Sequence, residues 1–199
     1  MTTARHRTPS TEVANAILDA ATRILETEGV EALAIRRIAS EAGVAPMSAY
    51  NHFASKAGII DALYMEGFRR LGRAFEEAAS LHDPIAALSE MGRRYRSLGL
   101  EHPASYRLMF MDALDGYEPG ETAAATAEAT FSCLVRAVSR CMETGAMEER
   151  DAHLAAQMIW ATSHGWVSLE ILGLNKVTDL DLGAAELNGM IIRGLAFEG

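Results

Sequence analysis

The chain has only two cysteines in 199 residues, Cys133 and Cys141, and this scarcity excludes a disulfide scaffold as the source of its stability. The two lie eight positions apart in a segment expected to be one helix, so a bridge would span more than two turns, farther than a disulfide reaches. Reduced thiols, together with an N-terminal MTTARHRTPS that has basic residues but no apolar segment behind them, lead to the expectation of a cytoplasmic protein. Long hydrophobic runs are missing too. Residues 155–174 come nearest to a membrane span, but Gln157, His164 and Glu170 interrupt them, so a buried protein helix and no membrane partner are expected. Strand-type alternation, internal repeats and low-complexity segments are absent, which leaves an all-α class. No glycine-rich phosphate loop, nucleophile elbow or carboxylate pair with a supporting histidine is present, so neither an enzyme nor a cofactor is expected. Cys133, Cys141, His153 and His164 lack the paired close spacings of zinc or redox sites, and no metal is expected.

Positive charge is also in short supply. The net charge is −9, which argues against indiscriminate nucleic-acid binding and makes the distribution the informative quantity. Residues 1–73 carry nine Lys+Arg and eight Asp+Glu, whereas the rest of the chain carries nine against nineteen. An acidic body therefore follows a near-neutral head in which Arg5, Arg7, Arg36, Arg37 and Lys56 cluster, a pattern suited to oriented docking. With 49% hydrophobic residues, the chain is rich enough in apolar surface to fold throughout.

What is present begins with Ile35 to Lys56, IRRIASEAGVAPMSAYNHFASK. Ile35, Ile38 and Ala39 share one face of a short helix expected over residues 35–42. Gly43 supplies the left-handed conformation of a tight turn, and Val44 packs inward as the chain reverses. Pro46 suits the first position of a second helix, expected over residues 46–53 with Ala49, Tyr50 and Phe53 facing back and Met47, Ser48 and Asn51 facing out. Two helices joined in this way form a helix-turn-helix whose second helix enters the major groove of double-stranded DNA.

Ile38-Ala39-Ser40-Glu41-Ala42-Gly43-Val44, Tyr50-Asn51-His52-Phe53 and Ser55-Lys56, in this order near the N-terminus, resemble the DNA-binding pattern of the TetR family of transcriptional regulators. The resemblance is strong over roughly residues 10–75. Farther on, His102-Pro103, Tyr106 to Phe110, Trp160 and His164-Gly165 resemble a branch with a W-x-x-x-H-G signature. Three positions depart from the family pattern: Ala34 and Ala45 stand where Ser or Thr would cap a helix, and Ala57-Gly58 where acidic residues would close a capping box. A lost cap costs about 1 kcal/mol, so a less rigid head is expected. The resemblance places Arg36 at a base edge, the commonest specific contact of arginine being guanine. With it, Arg37, Pro46, Met47, Ser48, Tyr50, Asn51, His52 and Lys56 make up the expected DNA-binding set. Met47 suits a thymine methyl, Asn51 an adenine or a phosphate, and Tyr50, His52 and Lys56 phosphates.

The remaining helices are expected from Thr8–Thr11 to Gly29, from Lys56 to Ala79, and over about 83–101, 104–114, 121–144, 148–172 and 182–197. In the helix around Trp160, apolar residues recur as Trp160, His164, Val167 and Ile171, while Ile159, Trp166 and Leu169 occupy other faces. A helix apolar nearly all round is buried on several sides, by a pocket on one and a second subunit on another. Methionines 91, 109, 111, 142 and 158, with Tyr95, Tyr106 and Phe110, supply adaptable apolar surface. The expected ligand contacts are Met91, Tyr95, Met109, Phe110, Trp160 and His164, with a hydrogen-bonded core histidine as the other reading of His164. Arg93-Arg94-Tyr95-Arg96 is expected to be a solvated face.

The whole is expected to be an all-α protein. A three-helix helix-turn-helix head, residues 1–56, precedes a larger helical ligand-binding and dimerisation body, residues 57–199. The resemblance implies a repressor that binds a palindromic operator as a homodimer and is released by a small, largely apolar effector. A regulator without a small-molecule effector, and a helical enzyme or metal-binding protein with a helix-turn-helix-like head, stand as the alternatives.

Overall fold

Helical periodicity sets the architecture. The computed structural model describes residues 10–111 and 116–195, and the regular structure among them is helical. It comprises α1 (Ser10–Glu28), a 3-10 turn (Val30–Ala32), α2 (Ile35–Glu41), α3 (Pro46–Phe53), α4 (Lys56–Ala79) and α5 (Pro84–Glu101). Then follow α6 (Pro103–Phe110), α7 (Glu121–Glu143), α8 (Ala152–Ile171) and α9 (Leu180–Leu195). The all-α expectation holds. Helix ends differ where caps decide them: the Asp151 carboxylate accepts from the His153 and Leu154 N–H groups, so α8 starts at Ala152 rather than near Glu148. Asp83 likewise caps α5 through Ile85 and Ala86. Arg5, Arg7 and the helix ends expected at Leu114 and Phe197 lie outside the described residues. Among the described residues no helix is long and apolar enough to cross a membrane.

The chain divides into two compact units, one of residues 1–67 and 104–123, the other of residues 68–103 and 124–199. In the first, Ile17, Ala20, Ala21, Ile24 and Leu25 of α1 meet Ile35, Ile38 and Ala39 of α2, Ala49 of α3, and Ile59, Ile60 and Leu63 of α4 in one core. Gly43, at φ 67°, closes α2. Its N–H donates to the Ser40 carbonyl and the Val44 N–H to that of Ala39, the paired bonds by which a glycine ends a helix and redirects the chain. Val44 and Phe53 pack against this core.

Residues 104–123 join the same unit through two carboxylates. Glu26 of α1 accepts from the Ala104 and Ser105 N–H groups (3.1 and 3.0 Å) and from the Ser105 hydroxyl. Asp61 of α4 accepts from the Tyr117 hydroxyl at 2.7 Å and the Gly120 N–H at 3.3 Å. In the second unit α5, α8 and α9 pack on one another. The Trp166 ring lies so close to α9 that a Cβ at Gly183 would come within 2.5 Å of it.

The turn that orients α3 is strained. Ala54 has φ 56° and ψ −43°, a region that costs a residue with a Cβ about 1–3 kcal/mol. Ser55 Oγ caps α4 by accepting from the Gly58 N–H at 3.2 Å. A side chain at Gly58 would place its Cβ 2.0 Å from the Phe53 carbonyl oxygen; the acidic residue of a capping box has no room here.

Ala54→Gly is therefore expected to stabilise the protein by about 1 kcal/mol, and Gly58→Ala to destabilise it by about 1–3 kcal/mol. Denaturant titration of both variants checks this; a less stable Ala54→Gly protein would show that the turn is not strained.

Candidate nucleic-acid interface and ligand site

An exposed surface forms on α3 because its inward face is used up by one small residue. Ala49 is fully buried and Phe53, one turn on, packs against the core. Opposite them Met47 is 67% exposed, an unusual position for an apolar side chain with nothing to cover it. Pro46 and Asn51 are exposed, whereas Ser48, His52 and Lys56 are half-buried. Tyr50 departs from the expectation that it faces back toward α2: it is 44% exposed. One residue beyond Ala49 is about 100° around the helix, so Tyr50 lies on the flank, where its hydroxyl stays in water.

Arg36 and Arg37 are both exposed on α2. Arg37 forms an ion pair with Glu28, and Arg23 pairs with Glu41 at 3.4 Å. Surface pairs of this kind contribute about 0–1 kcal/mol, little enough for a phosphate to take the glutamate's place. Ala34 and Ala45 make no side-chain cap bond, as the sequence indicated.

The candidate ligand residues separate into two groups. Met91 and Tyr95 of α5 are buried, and Trp160 and His164 of α8 half-buried. Met91, Tyr95 and Trp160, with Phe75, Leu134 and Ile159, line a small cavity of only about 20 Å³. Met109 and Phe110 belong to the other unit: a Cβ at Gly67 would come within 2.4 Å of the Met109 sulfur, and Phe110 stacks at 4.9 Å on Tyr106. Met158, one of the methionines expected to supply adaptable apolar surface, is exposed on α8.

The polar atoms around that cavity form a chain. Trp160 Nε1 donates to Tyr95 Oη at 3.3 Å, Tyr95 Oη lies 3.0 Å from His164 Nδ1, and His164 Nε2 lies 3.3 Å from Ser168 Oγ. The indole can only donate. With its own proton directed to Nδ1, the phenol meets a neutral imidazole whose Nε2–H faces Ser168. Burial lowers the His164 pKa from its ordinary 6.5, in keeping with that neutral form.

Beside this cluster a groove of about 540 Å³ lies among α5, α8 and α9. Here the expectation of a solvated Arg93-Arg94-Arg96 face is corrected. Arg93 is exposed and pairs with Glu90, but Arg96 holds Glu170 through Nε (2.8 Å) and Nη2 (2.6 Å), with Asp181 at 2.7 Å from Nη2. The hydrogen bonds that Arg96 donates to Glu170 raise its pKa against the opposing effect of burial. Trp166 Nε1 donates to the same Glu170 at 3.1 Å, which leaves the carboxylate well satisfied for its 7% side-chain exposure. Glu26, Asp61 and Asn188 were not singled out by sequence, and Glu170 was noted only as a polar interruption of an apolar stretch. Their partners lie 56 to 99 positions away, and no local pattern marks them. Cys133 and Cys141 are free and buried, and burial pushes the Cys141 thiol up to about 11.

Known proteins share both parts of this chain. Residues 17–63 match the family described as bacterial regulatory proteins, tetR family, and residues 88–187 match the family described as tetracyclin repressor-like, C-terminal domain. An HTH-type transcriptional regulator of Mycobacterium tuberculosis is 26% identical over 177 residues, covering 89% of this chain and 77% of its own length. The HTH-type transcriptional repressor DrrR1 of Streptomyces coeruleorubidus is 33% identical over 110 residues, 51% of this chain but only 39% of that protein. A solved structure from Rhodococcus sp. RHA1 superposes with a TM-score of 0.85 at 26% identity, covering 98% of this chain and 100% of the other.

The lowered His164 pKa has a sign. As pH falls through about 6.5, the unfolded chain takes up a proton at this ring before the folded protein does, so stability is lost. Thermal unfolding between about pH 7.5 and 5 should show a loss that His164→Gln reduces, since the amide does not titrate. An equal loss in both proteins contradicts the assignment.

Proposed function

We propose that this chain, which belongs to the TetR family of transcriptional regulators, is a repressor that binds a palindromic operator as a homodimer and leaves it when a small molecule enters the helical body. The observation that carries the reading is α3: a buried Ala49 beneath an exposed Met47, Tyr50 and Asn51, with Arg36, Arg37 and Lys56 at its borders. Residues 1–56 then act as the DNA-binding head, and residues 57–199 as the ligand-binding and dimerisation part. Trp160, His164 and Gly165 support membership of the W-x-x-x-H-G branch. A chain whose partner is bacterial operator DNA works in the cytoplasm.

Dimerisation is supported by α8. Leu154, Met158, Leu169 and Leu172 are exposed, and with Ala161 and Gly165 they recur every three or four residues along one side, an apolar stripe without a cover. A Cβ at Gly165 would meet nothing within 4 Å, so a second copy of this helix could approach closely there. A twofold pair presents two recognition helices about 34 Å apart, the spacing of successive major grooves.

Release uses α4, one continuous helix whose residues 56–67 belong to the first unit and 68–79 to the second. A ligand that favours a pivoted α4 by roughly 1–3 kcal/mol weakens DNA binding, and DNA weakens ligand binding by the same factor. Glu26 and Asp61 fasten residues 104–123 to the head and would carry the same displacement. The cavity beside Trp160 is nearly filled, about 20 Å³, and this favours a second reading, a regulator without a small-molecule effector. Thermal-shift screening with small apolar and amphipathic compounds separates the two.

Lys56→Ala is expected to weaken binding to every DNA sequence and lower the salt slope by about 1, whereas Arg36→Ala should also blur the preference at one base by about 1–3 kcal/mol. Gel shifts at several salt concentrations check this; unchanged operator affinity in both variants would show that α2 and α3 are not the docking face.

Leu169→Glu, placing a charge in the α8 stripe, should convert a dimer into a monomer in sedimentation and cost most of the operator affinity. A dimer that persists with full affinity would move the interface elsewhere.

A further inference from the structure

The 540 Å³ groove and the 20 Å³ cavity share four lining residues, Gly92, Ser163, Asn188 and Ile191. The two spaces are therefore adjacent, and two of the four shared residues are a glycine and a serine. Asn188 is the movable part. Its Nδ2 donates to the Ser89 carbonyl (3.1 Å) and to Ser89 Oγ (3.0 Å), while its Oδ1 faces Gly92, where a Cβ would sit 3.2 Å away. Rotating the amide opens the passage at the cost of two hydrogen bonds.

The two spaces differ in chemistry. The inner one is walled by Leu88, Met91, Leu134 and Ile159, and its polar atoms on Tyr95, Trp160 and His164 already bond one another. It offers nothing to a charge, and Met91 is unbranched and yields readily to an entering chain. The outer one is lined by Arg93, Arg94 and Arg96 with Glu90 and Asp181, and Arg96 is also paired with Glu170. Arg96 is held in place by Glu170 from behind, whereas its second partner, Asp181, is 88% exposed and free to turn toward water. A carboxylate can take that position on the guanidinium. The groove volume falls in the range of small-molecule sites.

We infer that the second unit takes an elongated amphipath, its anionic head at Arg96 in the groove and its apolar chain passing Asn188 to reach Trp160. This rests on the ligand-responsive reading above and gives it a ligand class and a route of entry. Ser163, Val167 and Glu170 lie on the side of α8 away from Met158, Gly165 and Leu169 at about 100° per residue, with Trp166 on the flank between them. The occupied groove and the dimer stripe therefore do not compete for the same face.

The two tryptophans of the chain report on the two spaces separately, Trp166 in the groove and Trp160 inside. Full-length Trp160→Phe and Trp166→Phe proteins are titrated with decanoate, decanol and decyltrimethylammonium while tryptophan emission is followed. Decanoate is expected to shift both emissions with one half-saturation point at least tenfold below that of decanol, and the cation to shift neither. Gly92→Leu in the Trp166→Phe background should abolish the Trp160 response. Silence of Trp160, a response from Trp166 alone, any other order of head groups, or a Trp160 response that survives Gly92→Leu overturns the inference. If Gly92→Leu does not fold, the two single-tryptophan proteins with the passage intact still decide. Binding of the same samples to DNA flanking the coding region is measured in parallel. Absence of DNA binding before any amphipath is added overturns the underlying reading, whereas DNA binding with silent tryptophans overturns only the ligand class and route.

Discussion

Two alanines and one glycine control where the recognition surface points. Ala39 of α2 and Ala49 of α3 are completely buried in one core, and side chains of that size let the two short helices approach closely. Gly43 takes the left-handed conformation that redirects the chain between them. With so little of α3 spent on packing, most of its circumference remains for Met47, Tyr50, Asn51 and their neighbours. A larger residue at either alanine would push α3 away from α2 and change the angle at which it meets a groove. The DNA-binding reading depends on this geometry more than on any single basic residue.

The body is governed by a different constraint, the surplus of apolar surface on α8. One side packs inward through Ala155, Ala156, Ile159 and Val167, and the opposite side leaves Leu154, Met158, Leu169 and Leu172 in water. The proposed dimer would cover the exposed side with a second copy of the same helix. Between α8 and α9 the fit is close at Gly183, where the Trp166 ring rests, and looser toward Asn188, where small residues line the groove. The most buried charges there are the Arg96–Glu170 pair, which is bidentate and further satisfied by Trp166, the condition under which a buried ion pair is tolerable.

The helix-turn-helix was legible because its determinants are local: the apolar spacing of α2, Gly43 at the turn, and Pro46 at the start of α3 all lie within twelve positions. The uncapped Ala34 and Ala45 could be read for the same reason. Tyr50 was misjudged because an aromatic side chain was assigned inward by type, whereas helix geometry gives the inward position to Ala49 and Phe53. The arginine run was misjudged because solvated arginines are the common case and Glu170, 74 positions from Arg96, carries no local sign of its partnership. Met109 and Phe110 were grouped with Trp160 by composition, yet they belong to the unit that contains the head. In the last two cases the deciding contact is long-range, and periodicity carries no information about it.

Footprinting on the DNA that flanks the coding region tests the central claim most directly, since it reads binding, site symmetry and subunit geometry at once. The account predicts two protected half-sites related by inverted repeat, with centres about one helical turn, roughly 34 Å, apart on the same side of the duplex. Protection of a single half-site, or uniform weak protection without sequence preference, would contradict it.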